Sequence, residues 1–205
     1  TGVQTCALPI SVSLAATAPN ILVVHPALPV KSVKELIVLA KARPGALNYA
    51  ATGIGSSPHL TAELFKAMAR VDILRVSYKG GGAAMTDLMG GQVQLSFPTA
   101  GSTVAHLHSG RLHALGITSA KRSALLPELN TIAEAGLPGF ESVSNSGVFA
   151  PAATPPAIVQ RLNQEIARFL HTAEAREKFL AVGVEAVGST PEVLTATMKI
   201  GRAHV

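Results

Sequence analysis

The sequence predicts an α/β fold, an open sheet covered by helices, and three observations carry that prediction. Between about residues 20 and 118, short apolar runs alternate with stretches of helical periodicity. Two of the intervening turns are glycine-rich, and each leads from a run of strand character into a helix. Helix-start signals recur at Ser32, at Ser57-Pro58 and at Thr154-Pro155.

The first strand is the apolar run NILVVHPAL, 20–28. In the next segment Ser32 and Glu35 form an S-x-x-E capping box, Leu36, Leu39 and Ala40 recur at helical spacing, and Arg43-Pro44-Gly45 ends the helix. A short strand follows at 47–51. Ser57 is the expected N-cap of the next helix, with Pro58 at its first position and Leu60, Leu64, Ala67 and Met68 as its buried stripe. Residues 72–77 read as a strand, 83–89 as a helix, 92–99 as a strand, 102–108 as a helix and 112–118 as a strand. Right-handed crossovers are the default for such units. The stretch 121–139 is loop-like apart from a short helix near 131–135, and 140–150 is extended. Thr154 is the expected cap of a helix whose apolar face is Ile158, Leu162, Ile166, Phe169 and Leu170. Two further helices are expected at 173–182 and from Thr190-Pro191 onward. The organisation is one lobe at 26–143, with 11–25 and 144–199 belonging to another. Chain crossings between the two are expected near 25–28 and 142–149.

Composition narrows the function classes. The chain has 205 residues, 48% of them hydrophobic, enough for one or two real cores. Its net charge of +5 comes from scattered Lys and Arg, and aromatic residues make up only 4%. There is neither a basic stripe nor a set of stacking platforms, which excludes nucleic acid as a partner. No apolar run reaches membrane-spanning length, because Pro19, Asn20, His25 and Pro26 interrupt the best candidate, so no direct membrane insertion is expected.

The two ends are related to each other. One coding of Ile-Gly-Arg-Ala-His-Val, 200–205, has a reverse complement that reads Thr-Cys-Ala-Leu-Pro one base in, which matches 5–9. Residues 1–10 and 200–205 are therefore set aside as adapter-derived. With them goes Cys6, the only cysteine, as a guide to redox compartment.

The chemistry sits in the turns. Thr52-Gly53-Ile54-Gly55-Ser56-Ser57 runs from a strand into a helix at Pro58, which gathers backbone N–H groups, two hydroxyls and the positive end of a helix dipole. An anion is what such a loop suits, although the same glycines also serve a tight turn. Tyr78-Lys79-Gly80-Gly81-Gly82 repeats the arrangement, and Thr99 closes a third strand; in a parallel sheet these strand ends share one edge. A Rossmann reading fails because the third glycine falls at Pro58, and no G-K-[ST] exists for a Walker A loop. The seven histidines lack metal-ligand spacing, and Ser57 with His59 is too local for a hydrolytic triad. No metal, no cofactor and no catalytic residue is expected. Two other classes stay open on the residues alone. A phosphate- or nucleotide-binding enzyme domain would use His59 as base, and the effector-binding domain of a transcription regulator would carry a helix-turn-helix upstream.

Four stretches carry a family resemblance: 19–66 allowing for the doubled alanine at Ala50-Ala51, VSYKGGGAAMTDLMGGQVQLSFPT, GRLHALGITSAKRSALLPELNTIAEAGLPGFE, and GVFAPAATPPAIVQRLNQEIARFL. Together they resemble the substrate-binding proteins of tripartite tricarboxylate transporters, the Bug receptors, over about residues 12–199. The resemblance implies a periplasmic-binding-protein-like (type II) fold of two α/β lobes, here with the second lobe complete and the first partial. It implies a periplasmic receptor, not an enzyme, that holds a di- or tricarboxylate or related organic acid and delivers it to the membrane components of the transporter. The signal peptide and the glycine-rich loop with which the family's first lobe begins are not in this sequence. The ligand contacts the resemblance implies are Gly53, Gly55, Ser56, Ser57 and His59 from the first loop and Tyr78, Lys79 and Gly80 from the second; the reading of the turns adds Thr52 and Thr99, the latter after Phe97-Pro98, where the family often has an acidic or small residue. A partial first lobe is expected to leave Ile158, Leu162 and Phe169 exposed.

Overall fold

The structure is a computed structural model and describes residues 9–202. Most of the two terminal segments set aside on sequence grounds, 1–8 and 203–205, lie outside the described residues. In chain order the elements are β1 (Ile10–Pro19), β2 (Ile21–Val24), α1 (Val33–Ala42), β3 (Asn48–Ala51), α2 (Ser57–Ala69), β4 (Leu74–Ser77), α3 (Gly81–Met89) and β5 (Leu95–Ser96). They continue with α4 (Ala100–His108), β6 (His113–Ile117), α5 (Ile132–Ala135), β7 (Val143–Ala150), α6 (Pro156–Leu170), α7 (Ala173–Ala181), β8 (Glu185–Ala186) and α8 (Pro191–Arg202). No helix among the described residues is long and apolar enough to cross a membrane.

The chain forms two compact units. Among the described residues one is 18–144, and the other joins 9–17 with 145–202. The chain passes between them at 17–18 and 144–145, so the first crossing lies earlier than the expected 25–28. Residues 18–25 belong with the larger unit because β2 is an inner strand of its sheet.

That sheet has the order β4-β3-β5-β2-β6. β3 runs parallel to both β4 and β5, whereas β2 is antiparallel to β5 and β6, so the sheet is mixed and not uniformly built from parallel crossovers. All four residues of β2 are buried, and they alternate between two cores. Leu22 and Val24 join one core with Leu36, Phe65 and Phe140; Ile21 and Val23 join the other with Leu88, Val93 and Ile117. An unbroken apolar run is what a strand covered on both faces requires, and each such side chain contributes about 2 kcal/mol on burial.

The helix starts follow local chemistry. The Ser32 hydroxyl accepts from the Glu35 N–H at 3.2 Å, while the Glu35 carboxylate accepts from Lys31 N–H, one residue earlier than a closed capping box requires. Thr131 and Glu134 close a full box on α5. On α2 the N-cap is Ser56, not Ser57, and the buried face is Thr61, Ala62, Phe65 and Ala69. The expected stripe is turned outward: Leu60 is 57% exposed, Leu64 38% and Met68 37%. Both stripes have helical spacing. Phe65 decides between them, packing 5.6 Å from Phe97 and 6.1 Å edge-on from Phe140, together with Thr61, whose hydroxyl lies 2.7 Å from that of Ser142.

In the smaller unit β7, β1 and β8 form a three-stranded sheet, with Ala16 opposite Ala186 in an antiparallel pair. Sequence reasoning had no strand at β1, because its alanines and serines carry little strand preference and pairing alone defines it. The core here is small: Val12, Ala150 and Val159, with Ile10, Val148 and Ile166 packed against them. Asn163 Nδ2 donates to the carbonyls of Val12 and Ser189, both at 2.8 Å, and ties α6 to the sheet. The α6 N-cap is Pro155, displacing Thr154 from the expected capping role. Of the expected apolar face only Leu170 is fully buried, alongside Val159. Ile158, Leu162 and Phe169 stay 51%, 42% and 52% exposed, as anticipated for this helix.

Candidate ligand-binding site

Three adjacent parallel strands end on one edge of the larger sheet, and each turns directly into a helix. Thr52 to Ser56 connect β3 to α2, Tyr78 to Gly80 connect β4 to α3, and Phe97 to Thr99 connect β5 to α4. Because the strands are parallel and side by side, the three helix N-termini open at the same edge.

These N-termini differ from the others in the unit. α1 and α5 have side-chain caps and an acidic residue in the first turn. α2, α3 and α4 have neither: Ser56, Gly80 and Thr99 make no capping bond, and no Asp or Glu occupies any of the three first turns. The first N–H groups of a helix lack intrahelical acceptors and carry the positive end of its dipole. Three such ends without an internal anion form a positive field made of backbone.

Between them lies a cavity of about 600 Å³. Thr52, Pro58, Gly81, Gly82 and Thr99 line it on the side of the helix starts, and Ala84, Met85, Leu88 and Met89 of α3 face Ser102 and His106 of α4 farther in. Among the described residues no Asp, Glu, Lys or Arg lines it. A Cβ added at Gly53, Gly80, Gly81 or Gly82 would meet nothing within 4 Å, so packing does not require glycine there. Gly55 differs: its φ of +81° is a backbone conformation that glycine adopts freely.

Of the ten residues named from the sequence, Thr52 and Thr99 line the cavity, while Ser56 and Gly80 cap the helices whose first turns do. The Ser56 hydroxyl is buried and has no partner among the described residues. The hydroxyl of Ser57 is engaged with Asn20, and His59 Nδ1 accepts from Gly55 N–H at 3.2 Å, bracing the loop. Gly53 does the same through its carbonyl, which accepts from Ser56 N–H at 3.1 Å. Tyr78 donates to Asp87 Oδ2 at 2.9 Å, joining the end of β4 to α3; burial, and then this bond and the charge of Asp87, push its phenol upward. Lys79 is exposed and stands outside the cavity lining.

Sequence reasoning missed Asn20 and Ser96. Asn20 is fully buried; its Nδ2 donates to Ser57 Oγ at 3.0 Å and Thr61 Oγ1 at 3.3 Å, and its N–H donates to Thr118 Oγ1 at 2.8 Å. It fixes the start of α2 to the sheet. Ser96 lines the cavity and donates to the carbonyl of Ala50 at 2.8 Å, locking β5 to β3. Neither belongs to a local pattern. Behind the site, Tyr49 donates to Glu63 at 2.6 Å and Lys66 donates to the same carboxylate at 2.9 Å. Burial pushes the Tyr49 phenol up, as do its bond to Glu63 and that carboxylate's charge, so it remains a donor. Burial also acts to raise Glu63, but the bonds from Tyr49 and Lys66 and the nearby positive charges outweigh it and hold Glu63 below its ordinary value.

The family model described as "Tripartite tricarboxylate transporter family receptor" matches residues 8–195. A UPF0065 protein encoded between tcbD and tcbE in a Pseudomonas sp. is 40% identical over 191 residues, covering 93% of this chain and 57% of that protein. The chain thus spans little more than half the length of such a relative. Among solved structures, an R. palustris protein with adipate is 38% identical with a TM-score of 0.83, covering 96% of this chain and 66% of that one. MatC from Rhodopseudomonas palustris with bound malate is 29% identical with a TM-score of 0.77, covering 93% and 66%. These likenesses identify the fold as that of a periplasmic solute-binding protein, over the part the chain spans.

Proposed function

Because this chain belongs to the family of tripartite tricarboxylate transporter receptors, we propose that it binds a small organic carboxylate and serves uptake of that acid. The family consists of periplasmic solute-binding receptors and not of enzymes. Relatives solved with adipate and with malate support a carboxylate as the ligand class. The observation that carries the reading is the convergence of three uncapped helix N-termini, none with an acid in its first turn, on a cavity lined by no charged side chain among the described residues. One carboxylate is held there by backbone N–H groups, by the unpartnered Ser56 hydroxyl and by Thr52 and Thr99. The glycines at 80, 81 and 82 let it approach the backbone. Ser57, His59, Gly53 and Gly55 shape the loop, and Tyr78 and Lys79 flank the second one. Delivery to the transporter's membrane components, in the periplasm, completes the proposed role.

Calorimetry with adipate, malate and citrate, each against its neutral amide, tests the proposal. At least one acid binds and its amide binds at least tenfold more weakly; an amide that binds as well as its acid, or inorganic phosphate in place of every acid, overturns it.

A further inference from the structure

Both places where the chain leaves the larger unit lie within a few residues of one buried ring of hydrogen bonds. Asn20 follows the crossing at 17–18, and Ser142 precedes the crossing at 144–145. The Asn20 N–H donates to Thr118 Oγ1 at 2.8 Å, and its side-chain Nδ2 donates to Thr61 Oγ1 at 3.3 Å. Thr61 Oγ1 in turn lies 2.7 Å from Ser142 Oγ. The Ser142 N–H donates to the Thr118 carbonyl at 2.8 Å, and the Thr118 N–H returns to the Asn20 carbonyl at 3.0 Å. Segments far apart in the sequence thus close on one another, and Asn20, Thr61 and Thr118 are fully buried.

The ring has two branches, and each ends at a helix start on the ligand edge. Asn20 Nδ2 donates to Ser57 Oγ at 3.0 Å, in the first turn of α2. Asn20 also bridges antiparallel to Thr99, the N-cap of α4, beside the bond from Ile21 N–H to the Pro98 carbonyl at 2.9 Å. None of Asn20, Thr61, Thr118 and Ser142 lines the cavity. Buried polar groups of this kind are stable only while their partners stay in place. Breaking one bond of the ring leaves the next group unsatisfied, so the bonds open together.

We propose that this ring couples the anion-holding start of α2 to both points at which the chain leaves the unit, with Thr61 and Ser142 as positioning residues. This role rests on the carboxylate reading above and deepens it. Thr61 is the pivot: it lies on α2 one turn inside Ser57 and meets Asn20 on one side and Ser142 on the other. A ligand held at the α2 start binds the closed ring and not the open one. It therefore slows the openings that release Asn20 and Ser142, in proportion to its occupancy.

Calorimetry and amide hydrogen exchange on the chain with adipate, malate and citrate test the coupling. In the parent, an acid that binds slows exchange at the amides of Asn20 and Ser142, by about a hundredfold at roughly 100 times its dissociation constant. Thr61→Val keeps the shape of the side chain and removes its hydroxyl. It weakens that acid roughly fivefold and abolishes the slowing at Ser142, while Asn20, still bonded to Ser57, keeps it. Thr61→Ser restores both. A purely structural Thr61 gives a valine variant of lower stability with parental affinity and parental slowing, and that result overturns the coupling. An acid that binds the parent without slowing Ser142 overturns it as well, with no variant needed. Ser142→Ala breaks the same bond from the side of the second crossing; it reproduces the loss of affinity, and parental affinity there counts against the ring even where Thr61→Val fails to fold. If none of the three acids binds the parent, the carboxylate reading falls and the coupling with it.

Discussion

Asn20 and Ser57 are joined by a reciprocal pair of hydrogen bonds, Asn20 Nδ2 to Ser57 Oγ at 3.0 Å and Ser57 Oγ to Asn20 Oδ1 at 3.2 Å. The residue just before β2 thereby holds the first residue of α2, and with it the helix end that points at the cavity. Removing it leaves the hydroxyl of Ser57 without its partner in a half-buried place. Asn20→Ala should cost about 2–3 kcal/mol, read as a lower urea midpoint with unchanged slope. Asn20→Asp should be worse, since its charge has no countercharge there. Parental stability in both variants would show that the pair contributes nothing.

The register of α2 gives a sharp contrast. Phe65 is fully buried between Phe97 and Phe140, whereas Leu64, its neighbour, is outward. Phe65→Ala should destabilise by about 3–5 kcal/mol, and Leu64→Ala by roughly 1 kcal/mol at most. Equal costs in thermal or urea unfolding would mean that the helix sits in the register the Leu60, Leu64 and Met68 stripe suggests.

Glu63 should make the larger unit acid-sensitive. Its carboxyl is held below its ordinary value of 4.5 in the folded chain. A depressed folded value stabilises the fold above the unfolded value, and that contribution is lost as pH falls below it. Stability measured between pH 6 and pH 3 should therefore decline less in Glu63→Gln than in the parent. Parallel declines would remove Glu63 from the account.

At Gly82 stability and binding should move in opposite directions. It lies in the first turn of α3, and a Cβ there meets open space. Gly82→Ala should raise stability by roughly 0.5–1 kcal/mol, because alanine loses less entropy in a helix. It should lower the affinity for adipate at least tenfold by standing where the acid approaches the backbone. An alanine variant that binds as well as the parent would argue that the glycines serve only folding.

The exposed stripe Ile158, Leu162 and Phe169 on α6 should drive self-association of the chain. Light scattering after size-exclusion chromatography should show species larger than a monomer that shift toward monomer in an Ile158→Glu, Phe169→Glu variant. A parent chain that elutes as a monomer at all concentrations would count against it.

Much of the fold was legible because its signals are local. Ser32 with Glu35 marks the start of α1, and the glycine-rich turns before α2 and α3 mark where strands give way to helices. In each case the interacting groups lie within a few residues, where geometry follows from chain connectivity. The alternation of elements likewise specified an α/β sheet with helix N-termini at one edge, an arrangement that suits an anion.

The tertiary structure decided what depends on partners far away along the chain. Asn20 meets Ser57 across 37 residues and Thr118 across 98. No pattern around Asn20 foretells either contact. The outward turn of Leu60, Leu64 and Met68 followed from Phe97 and Phe140, which outcompete an equally periodic local stripe. The antiparallel placement of β2, and the groove that α3 and α4 enclose down to His106, likewise come from how elements pack. Sequence periodicity says that a helix has an apolar face; only the packed neighbours select which face is buried and what space is left between two of them.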